Sequence, residues 1–336
     1  NWRSPVAAFV EQPARSAVTA TVVISLPRAC LFVQYAPMNF YPFKFLSTIF
    51  VLVFITIVTH IAFSCISANA QALKTTPSQK KISFTKVENP TFKDLKKTIH
   101  SIKVKTIIDP LTFTDSKGDV YRLKDLDSPA LSDPKASKDF IELSKDTLVS
   151  TISEKELFLL SPNRQKDFPI NRMGHTLVHA ITKDGVWVEG TMLANGLTRV
   201  KGDTGTIPDI ELMLELEKNA QDNKKGLWAD SRYQVIDANN FENIEDGYHI
   251  AEGKIESVSL VRNNIYLNFG QNWRNDFSAG LPSSIRKDFA KNGQNPMDWA
   301  HKTVRLRGYV RDYNGPFVDI DATYQIEVLD NTPKAN

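Results

Sequence analysis

The chain has 336 residues, enough for two modest domains and a tail, and its 42% hydrophobic and 24% charged content is ordinary for a globular protein. Its formal net charge of +3 comes entirely from residues 1–70, which hold four basic residues and one acidic residue, so that residues 71–336 carry 37 of each sign. This balance excludes a folded part that attracts nucleic acid through its overall charge, and any such binding needs a local patch.

Residues 1–70 read as a leader, with Met38 as its expected translation start. An apolar run follows Lys44 and ends in Ala68-Asn69-Ala70. A short basic region, an apolar region and an A-x-A end are typical of a secretory signal peptide, which predicts a periplasmic or secreted protein. A membrane anchor retained in the inner membrane is the alternative, because the run from Phe45 to Ile61 is about as long as the shortest spanning helices.

Cysteine usage limits the chemistry of the mature chain. Cys30 and Cys65 are the only cysteines. A chain that starts near Gln71 therefore has no disulfide partner and no thiolate metal site. A lipid anchor on Cys65 is a third reading of the leader, although Ala62-Phe63-Ser64 is a poor match to the segment that such an anchor requires.

The first folded domain is predicted over residues 96–232, after a polar linker over 71–95. Strands begin at Ser101, and hairpin turns are expected at 116–119 and 183–185, where polar residues and glycine separate alternating segments. Apolar spacing predicts three helices, over residues 135–153, 191–197 and 209–223. Asn195-Gly196 is a natural C-cap for the second of these helices.

A second domain is predicted over residues 246–330. Its strand segments are GKIESVSLV, NIYLNFG, KTVRLRGYVRD and PFVDIDATYQIEVL, with a helix over 282–290. Several short strands with one helix fit a small, partly open barrel of the OB type. The predicted fold class is therefore mainly β with helices (α+β), with two consecutive OB-like domains.

The most specific motif is GHTLVHAITKDGVWVEGTMLANGLTRV, preceded by RLKDLDSP and followed by KKGLW. With these segments, the region from about Ser101 to Asp230 resembles the thermonuclease family, the staphylococcal-nuclease-like domains. The resemblance implies a five-stranded OB barrel packed by three helices, and calcium-dependent phosphodiester hydrolysis. That chemistry uses two carboxylates and a carbonyl on Ca²⁺, a glutamate that activates water, and two arginines on the phosphate.

Three of the chemical positions that the resemblance implies are kept. Arg122 corresponds to the first arginine, Asp127 to the second carboxylate, and Ser128 to the residue that offers its carbonyl. Arg122 and Asp127 are therefore the candidate catalytic residues, and Asp127 and Ser128 the candidate metal ligands. The alternative for Arg122 and Asp127 is a salt bridge with each other.

Three other positions are replaced, by Leu111, Ala130 and His175. Leucine cannot ligate a hard cation, alanine removes the group that handles the proton of water, and histidine has no guanidinium fork. Nearby acids that could lend an oxygen are interpreted as turn residues or solvated acids: Asp109, Asp115, Asp119, Asp125 and Asp133. His175 and His179 share one face of a strand, but two histidines without a third ligand do not predict zinc.

The second domain interleaves aromatic residues with arginines, which suits a stacking platform for single-stranded nucleic acid. The candidates for this role are Arg262, Trp273, Arg274, Arg305 and Arg307. A structural or interaction role is favoured, because residues 246–336 contain eleven basic and eleven acidic residues and a barrel core needs aromatics in any case.

The sequence thus predicts an exported, thermonuclease-like protein with a degraded calcium site, which serves as a binding or interaction module. No cofactor is expected, and Ca²⁺ would bind only if the family site is partly functional. A metal-dependent phosphodiesterase with weak activity or relocated ligands is the alternative, and an OB-type binder of single strands is the third hypothesis. The partner stays open between nucleic acid and an envelope protein.

Overall fold

A computed structural model of the chain describes residues 84–162, 167–202, 207–272 and 274–329, with Ile99 described by its backbone alone. The predicted leader and most of the predicted linker lie outside these ranges. Within them, no helix is both long and apolar enough to cross a membrane. The described residues fall within one compact unit, residues 81–336, and they form two large β-sheets and one two-stranded ribbon.

The first sheet closes into a barrel of five strands. They are β2 (Leu95–Asp109), β3 (Thr112–Asp115), β4 (Val120–Leu123), β6 (Glu156–Pro162) and β7 (Thr176–Thr182). Each strand pairs with the next in the ring β7-β4-β3-β2-β6, and β6 also pairs with β7, which closes the ring. Closure leaves these five strands without a free edge. The predicted OB-type barrel is therefore confirmed.

Short strands complete this part of the fold. They are β1 (Val87–Glu88), β5 (Leu126–Asp127), β8 (Val186–Trp187) and β9 (Arg199–Val200). β1 pairs with β8, so the end of the segment predicted as a linker is part of the sheet. Strand β2 starts at Leu95, six residues before the predicted start, and β5 forms a separate ribbon with β9.

Four helices accompany the first barrel: α1 (Pro129–Ser132), α2 (Lys138–Ile152), α3 (Val188–Ala194) and α4 (Ile210–Asp222). The side chain of Ser137 caps α2 by accepting the Phe140 N–H, so this helix begins three residues later than predicted. Helix α3 begins and ends three residues earlier than predicted, although Asn195 is its C-cap, as expected, with Gly196 at a φ of 63° just beyond it.

The barrel interior and the helices bury one hydrophobic core. Its largest fully buried side chains include Phe113, Leu123, Leu148, Leu157 and Trp187. The two predicted hairpin turns are present, with Gly118 at φ 89° and Gly185 at φ 90°, a conformation that glycine adopts without steric cost.

The second sheet has eight strands and does not close. They are β10 (Ile236–Asp237), β11 (Gly247–Lys254), β12 (Ser257–Val261), β13 (Asn264–Asn268), β14 (Ser278–Leu281), β15 (Thr303–Asp312), β16 (Pro316–Asp319) and β17 (Ile326–Val328). The order is β10-β11-β15-β16-β14-β13-β12, with β17 also on β15. Helix α5 (Arg286–Lys291) and 3-10 turns at Ser283–Ile285 and Pro296–Asp298 lie between the strands. The sheet is barrel-like and partly open, as predicted.

Buried polar contacts join the two sheets. The Arg307 guanidinium on β15 lies 2.6 Å from the Glu217 carboxylate on α4, and both side chains are almost fully buried. Tyr248 on β11 donates its hydroxyl to the Val200 carbonyl at 2.6 Å. The Tyr324 hydroxyl accepts the Gly202 N–H at 2.8 Å. These contacts fix the end of the first barrel against the second sheet.

Candidate functional site

Leu111 lies in the turn between β2 and β3, where the resemblance places the first calcium carboxylate. Its side chain is fully buried in the barrel core, and its N–H donates to the Asp109 carboxylate at 2.8 Å. Asp109 is thus a turn residue, as the sequence predicted. The position contributes apolar packing and no oxygen ligand.

Arg122 on β4 points to the same turn. Its Nη1 donates to the Thr112 hydroxyl at 2.9 Å and lies 3.7 Å from the Asp109 carboxylate. The side chain keeps about 30% of its surface exposed. The expected alternative, a salt bridge between Arg122 and Asp127, is wrong, because each of the two has a different partner.

Asp127 on β5 pairs with a guanidinium that the sequence analysis did not single out. Arg199 lies directly opposite on β9 and donates to one Asp127 carboxylate oxygen from Nη2 at 2.7 Å and from Nε at 3.2 Å. The Lys201 ammonium lies 3.9 Å from the other oxygen. Both Asp127 and Arg199 are about 95% buried, so the carboxylate already has a full counter-charge within the fold.

The carbonyl of Ser128 is also engaged. It accepts the N–H groups of Leu131 and Ser132 at 2.8 and 3.0 Å, and the Ser132 hydroxyl at 3.1 Å. These bonds form because Pro129 starts α1 directly after Ser128, so the carbonyl serves the first helical turn. Ala130 lies in the same helical turn with 8% of its surface exposed, and its methyl group cannot accept a proton from water.

His175 immediately precedes β7. Its N–H donates to the Asn171 side chain at 3.0 Å, and its ring Nδ1 is buried with no hydrogen-bond partner among the described residues. Arg122 pairs with Leu177 on β7, so His175 lies two residues before the position opposite Arg122. A second guanidinium at this position is replaced by a ring without a fixed charge.

These positions do not fit a calcium ion. Ca²⁺ needs six to eight oxygen ligands, with carboxylates among them. Here one carboxylate is a leucine, the Asp127 carboxylate is paired with Arg199, and the Ser128 carbonyl already accepts three hydrogen bonds. Among the residues that the structure describes, no group of three or more His, Cys, Asp and Glu side chains has the geometry of a metal site.

The structure shows a cluster of titratable side chains that the sequence did not predict: Lys124, Asp125, His179 and Glu189. Asp125, at φ 58°, accepts the Lys124 ammonium at 2.9 Å and contacts His179 Nε2 at 3.1 Å. On the other side of the ring, His179 Nδ1 lies 3.6 Å from the Glu189 carboxylate. The prediction that Asp125 is a turn residue or a solvated acid is therefore wrong, because its side chain is buried. The alternating apolar pattern of β7 and the start of α3 gave no signal of this cluster.

Burial favours the neutral form of both carboxyl groups in this cluster, but their pKa values shift in opposite directions. For Asp125, burial favours the neutral acid, yet the hydrogen bond and charge of His179 and the charge of Lys124 outweigh it and lower its pKa. For Glu189, burial dominates and raises its pKa to about 7, although the charge of His179 and the Ala180 N–H oppose the shift. Of the two buried carboxyl groups, Glu189 is therefore the one that exchanges a proton near neutral pH, whereas Asp125 stays ionised.

The structure does not gather the four described nucleic-acid candidates of the second sheet into one cluster. Arg305 is bound to Glu252 at 2.6 Å, and Arg307 is buried against Glu217. Arg262 is in the turn between β12 and β13 at the far end of the strand order. Arg274 lies in the segment between β13 and β14, and Trp273 lies outside the described residues. Their role stays a prediction.

Residues 120–230 match a family model described as Staphylococcal nuclease homologue. The matched segment starts at β4 and ends just after a 3-10 turn at Gly226–Ala229, so it contains Arg122, Asp127, Ala130 and His175 but not Leu111. It covers a third of the chain and leaves the second sheet outside it. A comparison with curated proteins finds no match.

Proposed function

We propose, from the premise that residues 120–230 are a staphylococcal-nuclease-like domain, that this domain is a non-catalytic binding module of an exported or envelope-associated protein. The observation that carries the proposal is the buried ion pair between Asp127 and Arg199. In a calcium-dependent site the metal would compensate the charge of this carboxylate. Here a fixed guanidinium of the neighbouring strand does so.

The remaining positions support the same conclusion. A general base and a phosphate-binding donor each typically contribute about two to four orders of magnitude to rate, although such losses do not add. Ala130 and His175 provide neither in the family's positions. Arg122 alone keeps a partly exposed guanidinium that can contact an anion. Binding without turnover is what this set of residues supports.

The second sheet supports a module of fixed shape. The Arg199 guanidinium also donates to the Tyr248 carbonyl of β11 at 2.7 Å, so the residue that neutralises Asp127 is itself held from the second sheet. Opening the site to a metal would require this guanidinium to leave a buried environment. The partner of the module is an envelope protein or a nucleic acid, and export through the leader is part of the proposal.

The test is a cleavage and calcium-binding assay on the full-length protein. We expect no calcium-dependent cleavage of plasmid or single-stranded DNA, and no rise in Tm at millimolar calcium, because a ligand stabilises only the state that binds it. The Leu111→Asp/Ala130→Glu/His175→Arg variant, which restores the family's residues, shows what a gain of metal response looks like in this scaffold.

Robust cleavage would overturn the proposal if it is lost in Arg122→Ala, and would favour the weak phosphodiesterase instead. Arg122 is the better control because it is partly exposed, whereas Asp127→Ala also removes a buried ion pair. A gel shift with single-stranded DNA at low salt tests the third hypothesis, and its strength should fall steeply with added salt if it is real.

A further inference from the structure

Charge is segregated along the chain. Of the 37 basic and 37 acidic residues that follow position 70, nine basic and two acidic residues lie within 71–105, which leaves 28 basic and 35 acidic residues for 106–336. The first segment therefore has a net charge of +7 and the rest of the chain a net charge of −7. The balanced total hides a strongly cationic segment at the start of the folded unit.

Strand β2 presents part of this charge on one outward face of the barrel. Lys103 pairs in register with Glu156, and Ser101 with Phe158, so these side chains share a face of the β2–β6 pair. The Lys97 ammonium lies 5.3 Å from the centre of the Phe158 ring and reaches the same face. Lys105 lies beside Lys103 at an irregularity of the β2–β3 register between Val104 and Thr106, and its side chain is also exposed. We call Lys97, Lys103 and Lys105 the β2 lysine face.

The positive charges of the β2 lysine face are not neutralised by carboxylates of the described residues. All three side chains are exposed, and no carboxylate of the described residues lies within ion-pair distance of them. Glu156, which lies opposite Lys103, is bound by Lys183 at 2.8 Å. Lys155, just before β6, pairs with Asp184 at 3.2 Å. The neighbouring charges cancel, so the three lysines add a net positive potential.

We propose that the β2 lysine face docks the folded unit on a membrane surface that contains anionic lipid. The apolar run from Phe45 to Ile61 lies upstream, and 22 residues separate it from the first described residue, a span of at most about 80 Å when fully extended. Any chain that keeps this run in a bilayer therefore carries the lysines within reach of the lipid surface. Polybasic segments next to a membrane segment are attracted to anionic headgroups.

The chemistry of the residues favours a lipid surface over a nucleic acid. Every basic residue within 71–105 is a lysine, and none is an arginine. Lysine is a compact point charge that suits a diffuse anionic surface, whereas arginine provides the fork that recognises phosphates and bases in a fixed geometry. Phe158, the aromatic ring beside Lys97, is half-buried, and the Lys97 ammonium lies 5.3 Å from its ring centre, so a base that stacked there would have to displace this lysine.

The test is lysine footprinting of the full chain on two kinds of vesicle, one of phosphatidylcholine and one of equimolar phosphatidylcholine and phosphatidylglycerol. The full chain carries the same apolar run on both, so a difference between them reports the anionic headgroups. We expect slower acylation of Lys97, Lys103 and Lys105 on the anionic vesicles, by roughly fivefold or more since each lysine near such a surface changes partition by about that factor. The protection should disappear at about 0.5 M salt, where screening shortens to roughly 4 Å.

Two matched variants complete the test, with Lys103 as the reporter in both. Lys97→Glu/Lys105→Glu should abolish its protection. Lys138→Glu/Lys145→Glu, which makes the same change of charge at exposed lysines elsewhere, should leave it intact.

Three results would overturn the proposal: equal acylation on both vesicles, equal protection of Lys138 and Lys145, or protection by a single-stranded oligonucleotide but not by anionic lipid. The last result would assign the face to nucleic acid. The inference does not depend on the proposed loss of catalysis, because the β2 lysine face lies apart from Asp127 and Arg199 and its readout involves no cleavage.

Discussion

The side chains of Asp127 and Arg199 form a buried ion pair across the β5–β9 ribbon, with two hydrogen bonds of 2.7 and 3.2 Å to one carboxylate oxygen. The guanidinium carbon also lies 5.0 Å from the centre of the Tyr248 ring, and Arg199 donates to the carbonyl of the same residue. The carboxylate at the position where the resemblance implies a metal ligand is thus part of the contact between the two sheets.

Removing one partner of this pair should be costly. We expect Arg199→Ala to lower the free energy of unfolding by about 3–5 kcal/mol, because it leaves the Asp127 carboxylate buried without a counter-charge. Arg232→Ala is the control, since Arg232 pairs with Asp133 and Asp230 at the surface, where an ion pair contributes about 1 kcal/mol or less. Urea unfolding of the purified protein measures both.

The double variant Asp127→Ala/Arg199→Ala distinguishes an ion pair from two independent residues. We expect it to lose clearly less stability than the sum of the two single variants, since neither charge is then left alone. Additive losses would contradict the view that the fold has replaced the metal by a guanidinium.

The stability of the protein should fall as the pH rises through neutrality, and Glu189 is the cause. Its pKa of about 7 in the folded protein lies above the ordinary value of 4.5, so folding favours the protonated acid. The resulting stability is fully present below the ordinary pKa and is lost as the pH rises through the folded value. Glu189→Gln stays neutral, so its Tm should decline less between about pH 5 and 8 than that of the unchanged protein.

Thermal unfolding across this pH range measures the difference, with the exposed Glu242→Gln as control. Parallel Tm curves for Glu189→Gln and the unchanged protein would show that ionisation of the buried carboxyl group does not limit stability. The group cannot reach solvent, because its carboxylate lies against His179 and the Ala180 N–H inside the barrel.

Gly226, in the KKGLW segment, should tolerate no side chain. A Cβ there would lie 2.2 Å from the Gly196 carbonyl oxygen, which is backbone and cannot move aside. We expect Gly226→Ala to cost about 1–3 kcal/mol more than Gly118→Ala, because Gly118 has a similar positive φ but nothing within 4 Å of its added methyl. Equal losses in a urea titration would show that backbone conformation alone requires glycine at both positions.

Much of the architecture follows from local signals. Glycine after polar residues marks the turns at Gly118 and Gly185, and Asn195-Gly196 ends α3, because these conformations depend on only a few neighbouring residues. Element starts were less accurate, since β2 and α3 begin earlier than their patterns suggest. Pairing with β6 extends β2 to Leu95, and burial of Val188 and Glu189 in the core starts α3 earlier than its apolar spacing suggests.

The sequence by itself determined which chemical groups are present at the site. Leu111 cannot ligate calcium, Ala130 cannot act as a base, and His175 does not provide a fixed cation. It could not decide what Asp127 and Asp125 do. Their partners, Arg199 for one and His179 with Lys124 for the other, are set by strand pairing and burial. Contacts between residues as far as 72 positions apart in the chain arise only when the whole barrel closes, and that is why only the tertiary structure revealed them.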